Sequence, residues 1–194
     1  MSLRETLKNQ IQAFLLLDHP FYQKWTHGEL SVDDLALYAR EYGAFIHTIP
    51  KGWEALGEDE TVAEETEHNR LWDEFAAALD TRVSTSTLRE VEALLALSGD
   101  LFAQPATALG ALYGFEIQQP ETAASKLAGL RQFYNLGEQA ERYFIEHANN
   151  HHEAEKLLDR IGALSHIEQD ASLEACGRMS RALWDALSGV LAAL

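Results

Sequence analysis

Apolar residues in this 194-residue chain recur at every third or fourth position, and the alternation that marks a strand is hard to find. That periodicity restricts the fold to packed helices. Only four prolines occur, Pro20, Pro50, Pro105 and Pro120, and three of them stand near expected helix ends. The pattern predicts about seven helices: residues 3–17, 31–56 with a bend at Pro50, 61–79, 87–97, 105–133 with a kink at Pro120, 137–161, and 166 to the C-terminus. Ser31 with Asp34 three residues on is a capping signal for the second. No repeat, low-complexity tract or linker interrupts the chain. The expected fold is all-α, a single-domain bundle over residues 1–194.

Composition narrows the functional classes. Hydrophobic residues make up 46% of the chain, enough for a sizeable core. Acidic residues outnumber basic ones 31 to 15, for a net charge of −16. Such a surface repels phosphate backbones and anionic lipid, so neither nucleic acid nor membrane is an expected partner. The apolar stretch Ala13 to Leu17 is too short for a signal or spanning segment. A single cysteine, Cys176, fits a reducing cytoplasm and reads as inert packing.

Residues at i, i+4, i+7 and i+11 share a helix face. In "YFIEHANNHHEAEKLL", that rule puts Tyr143, His147, His151, Ala154 and Leu158 on one inward stripe, and His152 and Glu153 on the opposite side. In "ALGALYGFEIQQPETAASKL", Glu116 sits in the middle of an apolar stripe, with Lys126 at its edge. In "TVAEETEHNRLWDEF", His68 extends the stripe of Leu71, Trp72 and Phe75, and Glu64 and Glu65 straddle the same face one turn back. Three helices thus offer Glu or His to one interior. A buried carboxylate is costly unless paired, protonated or bound to metal. Iron, manganese and zinc take carboxylate and imidazole ligands, and bundle cores are where helices present them. A metal-free Glu–His hydrogen-bond network requires the same pattern, and spacing alone does not separate the two. Tyr22, Trp25, Tyr38, Tyr42 and Phe45 form aromatic stripes that suit a core.

The chain resembles the haem-oxygenase-like superfamily that includes TenA and PqqC proteins, and within it the CADD-like dimetal oxidases. "HPFYQKWTHGELSVDDLALYAREYGAFIHTIP" resembles the N-terminal signature of that group. "EETEHNRLWDEFAAAL", "ALYGFEIQQP" and "YFIEHANNHHEAE" resemble its ligand-bearing segments. The resemblance implies a centre of iron or manganese held by Glu64 or Glu65, with His68, Glu116, His147 and His151. The family's last histidine position is Ala154 here, which has no ligand atom, so one firmly held metal and a weak or empty second position are expected. Glu155 is the nearby substitute. The resemblance further implies reaction with O2 and formation of p-aminobenzoate from the protein's own tyrosine, Tyr22, with Lys126 as amino donor and Tyr143 in the pocket. It also implies a homodimer. Alternatives on the same fold are a small external aromatic substrate, a cofactorless PqqC-like oxidase, and a non-catalytic, metal-depleted binding or interaction protein. TenA-type thiaminase chemistry lacks its mid-chain cysteine.

Overall fold

The computed structural model describes residues 2–194, and among them every regular element is helical. The seven expected helices are present, but three are each divided in two and a short extra helix follows the "DHP" turn. Helix α1 (Leu3–Ile11) ends earlier than expected and continues as two 3₁₀ turns to Asp18. Helix α2 (Pro20–Thr26) starts with proline in its first turn, and His19 Nδ1 accepts from the Phe21 amide at 3.0 Å.

Pro50 and Pro120 start helices and do not bend them. The expected second helix is α3 (Val32–Ile46) and α4 (Ile49–Glu54), with Pro50 in the first turn of α4. The expected fifth is α7 (Pro105–Glu116) and α8 (Gln119–Gly129), with Pro120 in the first turn of α8. Proline inside a helix costs about 3 kcal/mol, whereas in the first turn its missing N–H has no partner to lose. After α8 a π-turn (Leu130–Tyr134) leads to a reversal in which Asn135 and Gly137 take positive φ, 46° and 84°. Helix α5 (Asp59–Ala78) lies close to its expected span, whereas α6 (Arg89–Phe102) continues through the expected stop at 97.

The expected sixth helix breaks without a proline, into α9 (Glu138–Ala148) and α10 (His152–Gly162). Asn149 Nδ2 donates to the Ile145 carbonyl at 3.0 Å, and the Asn150 amide to His147 at 3.3 Å. Asparagine side chains compete for backbone groups in this way and favour helix ends. The break alters the pattern at the junction, while Ala154 and Leu158 stay inward as the stripe predicts. Glu153 turns inward against expectation, and His151 is exposed.

Helix α7 is the axis of the bundle, with every residue from Ala108 to Glu116 buried. The last helix, α11 (His166–Ala192), lies along it. The two backbones nearly touch: a Cβ on Gly110 would stand 1.9 Å from the Ser172 carbonyl oxygen. Ser172 Oγ donates to the Ala106 carbonyl at 2.6 Å at the same crossing. Cys176 is buried on α11, and burial pushes its thiol up to about 12, as inert packing requires. Gly110→Ala should therefore cost about 3 kcal/mol, because backbone cannot move aside as a side chain can. Gly99, in α6 with nothing within 4 Å of its would-be Cβ, is the control. Gly99→Ala should be neutral or stabilise by up to about 1 kcal/mol. Urea denaturation of both variants checks the crossing, and equal midpoints would contradict it.

Candidate metal centre

Five side chains from four helices meet beside α7. Helix α5 supplies Glu65 and His68, α7 supplies Glu116, α9 supplies His147 and α10 supplies Glu153. Donor atoms of Glu65, His68 and His147 lie within 4.8 Å of one another, and so do those of Glu65, Glu116 and Glu153. Glu65 belongs to both groups. The three carboxylates are each 3% exposed, so water does not screen them.

The fourth buried glutamate outside this cluster shows what satisfaction looks like. Glu41, on α3, accepts from Ser86 Oγ at 2.6 Å, the Thr87 amide at 2.9 Å and Thr87 Oγ1 at 3.0 Å. Burial opposes its charge, but these hydrogen bonds hold its carboxyl below the usual range. It pins the segment before α6 to α3. Glu116 and Glu153 are the reverse case. One oxygen of each, Oε1, is buried with no hydrogen-bond partner. Burial, then the charges of Glu153 and Glu65, drive Glu116 well above the carboxylate range. Burial, then Glu65, raises Glu153 to about 8.

Each imidazole brings a ring nitrogen within 4.8 Å of the other and of a Glu65 oxygen. His147 Nδ1 donates to the Tyr143 carbonyl at 2.8 Å, which leaves Nε2 as the unprotonated nitrogen. Burial, then the neighbouring His68, lowers His147 to about 4, so the ring is neutral. His68 Nδ1 donates to Glu65 Oε1 at 3.2 Å, and the two histidine rings meet edge to face at 4.4 Å. Burial disfavours the charged form of His68, but Glu65, Glu153 and Glu146 outweigh it and raise its pKa. Three carboxylates and two imidazoles, with unpartnered oxygens inside, fit a divalent iron or manganese ion better than they fit a closed hydrogen-bond network. The carboxyls do hydrogen-bond one another, Glu116 to Glu153 and Glu153 to Glu65, yet one oxygen of Glu116 and one of Glu153 are left over.

Of the residues expected from sequence, Glu65, His68, Glu116 and His147 are brought together. Glu64 is exposed and lies outside both buried groups. His151 is not at the centre, because the α9–α10 break turns it out to solvent. Glu155 is also exposed and is paired with Arg4, at 2.6 Å and 2.8 Å. Ala154 is buried without a ligand atom. Glu153 was expected on the solvated side and is instead at the centre. The "NNH" run that announces the break is the sequence signal that would have found it.

The candidate tyrosines and lysine form a second cluster that abuts the first. Tyr22 from α2 and Tyr38 from α3 share a hydroxyl–hydroxyl hydrogen bond of 3.0 Å. Lys126 on α8 is 4% exposed, and its Nζ donates to Tyr38 Oη at 3.2 Å. The same nitrogen stands 4.7 Å from the Tyr22 ring centre and 5.5 Å from that of Phe144. Burial lowers its pKa to about 7. Tyr143 joins the clusters: its ring stacks on His147 at 4.0 Å and meets Trp72 at 4.8 Å, and Trp72 meets Tyr38 at 5.6 Å. Tyr38, read from sequence as core, is the hinge of this polar arrangement. Outside the centre, a shallow groove of about 690 Å³ opens beside His68, lined among others by Glu64, Glu67, Leu71, Arg142 and Glu146.

Known proteins resemble this chain over most of its length. A family profile for iron-containing redox enzymes of the haem-oxygenase type matches residues 45–185. A 4-aminobenzoate synthase from Chlamydia muridarum is 30% identical, with 98% of this chain and 91% of that protein covered. One from Nitrosomonas europaea is 29% identical over 95% and 91%. A TenA homologue from Pseudomonas syringae superposes with a TM-score of 0.81 at 16% identity, covering 98% of this chain and 93% of that one. A TenA homologue from P. horikoshii gives 0.75 at 14%, over 98% of each chain. Those structures share the fold. No helix among the described residues is long and apolar enough to cross a membrane. With the family profile spanning most of the chain and its two buried donor groups supplied by helices within it, the protein belongs to the haem-oxygenase-like family of iron-containing redox enzymes.

Proposed function

We propose that this protein is a metal- and O2-dependent oxidase that forms 4-aminobenzoate from its own Tyr22, with Lys126 as amino donor. The observation that carries the reading is the continuity of the two clusters: Tyr143 packs on a candidate ligand, His147, and connects through Trp72 to the Tyr22–Tyr38–Lys126 group. Relatives named 4-aminobenzoate synthase, aligned over nearly the whole chain, support it. Glu65, His68 and His147 would hold one ion, and Glu65, Glu116 and Glu153 a second, with Glu65 shared. Glu153 thus offers what Ala154 lacks. Iron or manganese held there supplies electron exchange with dioxygen, which a phenol cannot undertake alone.

The chain's own residues prepare the rest. Burial raises the Tyr22 phenol above its ordinary pKa, so the ring stays protonated and its hydroxyl remains on Tyr38. Near neutral pH a large fraction of Lys126 is free amine, the form with a lone pair to give. Tyr38 lies against both, with Phe21 beside the phenol and Phe144 beside the amine, and this burial keeps water from them.

Metal content separates this reading from a non-catalytic module. Anaerobically loaded wild type should retain two equivalents of iron or manganese through gel filtration. Glu65→Ala should lose both and Glu153→Ala one. Retention of full metal by Glu65→Ala would remove the shared ligand from the scheme.

The lysine gives a pH signature. Unfolded lysine stays protonated to about pH 10.4, whereas buried Lys126 releases its proton near 7. Between those values the unfolded state binds more protons, so stability rises with pH at up to about 1.4 kcal/mol per unit. Wild type should gain about 2 kcal/mol relative to Lys126→Met between pH 7 and 9. A pH-independent difference in denaturation would mean that Lys126 stays charged.

The tyrosine chemistry is checked by mass. Loaded wild type given reductant and O2 should lose mass at Tyr22 and release 4-aminobenzoate. Tyr22→Phe should release none, and Lys126→Met should retain metal without forming the amine. Equal release from wild type and Tyr22→Phe would assign the oxidation to another substrate.

A further inference from the structure

A third donor group lies between the buried centre and the surface. Donor atoms of Glu64, His152 and Glu153 fall within 4.8 Å of one another, with Glu64 and His152 exposed and Glu153 buried. Glu153 is also part of the inner carboxylate group, and its Oε1 is buried without a partner. The group therefore reaches from solvent to the interior through one side chain. Two donors about 2.1 Å from a common ion stand up to about 4.2 Å apart. Glu64 and His152 are free at the surface to close the remaining fraction of an ångström.

The surroundings attract cations. Glu64 and Glu146 line the groove beside His68, where Glu67 is held by Arg70 at 2.9 Å and Arg142 by Glu74 at 3.3 Å. The chain as a whole carries a net charge of −16, and clefts lined by one sign of charge concentrate counter-ions. The inner carboxylates are 3% exposed, so an ion that reaches them must exchange its waters for protein ligands on the way.

We propose that Glu64, His152 and Glu153 form an outer divalent-cation position through which metal enters, Glu153 passing the ion from the surface pair to the interior. The outer position needs only its own three residues. Its role in entry rests on the inner centre proposed above. Two carboxylates and one imidazole suit Mn2+ or Fe2+. Glu64 thereby gains a use that the buried centre denies it, and so does His152.

Mn2+ titration of metal-free protein tests the assignment, read by loss of the free-ion EPR signal and by broadening of imidazole resonances in protein labelled at histidine. Wild type should bind one weaker equivalent beyond its tight ones, and in Glu65→Ala, where no tight ion is held, the His152 ring should broaden as that weak equivalent binds. Glu64→Gln and His152→Ala should weaken that equivalent by at least the 10–100-fold that loss of an indirect partner costs, and should slow loading of the tight ones. Glu65→Ala separates the two proposals, because it should abolish tight binding and leave the weak equivalent in place. An unbroadened His152, or loading of His152→Ala and Glu64→Gln at the wild-type rate with the same stoichiometry, would overturn the entry position whatever the inner centre does.

Discussion

Three glutamates that cannot all be charged in the absence of a cation set the terms for this structure. Glu65, Glu116 and Glu153 present oxygens within 4.8 Å of one another and are almost wholly buried. Two carboxylates at that separation repel by about 3.5 kcal/mol at an effective dielectric near 20, and there are three such pairs. A domain stable by about 5–15 kcal/mol cannot hold that arrangement ionised. Without metal the protein keeps protons instead, which is why Glu116 and Glu153 are driven upward. A divalent ion removes the repulsion and satisfies the orphaned oxygens together.

The helices around the cluster are positioned by contacts that have no chemistry of their own. Gly110 lets α11 close onto α7 from one side, which leaves the other side of α7, with Glu116, to face α5 and α10. Glu41 ties the segment after α5 to α3, and its hydrogen bonds are complete. The contrast between Glu41 and Glu116 separates a structural carboxylate from one prepared for a ligand. Both are buried glutamates, and only the donors around them differ.

A second economy appears in the aromatic region. Lys126 is buried against a phenol and ring faces, with burial moving its pKa to about 7. The faces of Tyr22 and Phe144 favour the ammonium, yet desolvation is larger and wins. Tyr143 serves both regions: its carbonyl fixes the tautomer of His147 and its ring carries contact toward Trp72 and Tyr38.

Helical periodicity alone determined the all-α class and the inward faces of α5 and α7, so His68 and Glu116 were legible as interior polar residues. His68 lies within the unbroken α5 and Glu116 in the last turn of α7, before the chain breaks to α8, so i, i+4 and i+7 stay in register as far as both residues. The same rule failed across Asn149–His151. Continuing the α9 stripe pointed to His151 and past Glu153, because a face rule holds only while the hydrogen-bond ladder continues. The fold reversed both assignments by ending one helix at Ala148 and starting the next at His152, which leaves His151 outside the ladder as a cap and brings Glu153 to the edge of the buried face. Sequence also left Glu64 and Glu65 equivalent, one residue apart on the edge of a stripe. Only packing of α5 against α9, α4 and α3 turned Glu65 inward and left Glu64 at the surface, since a 100° step becomes inside or outside only when a neighbour covers one side.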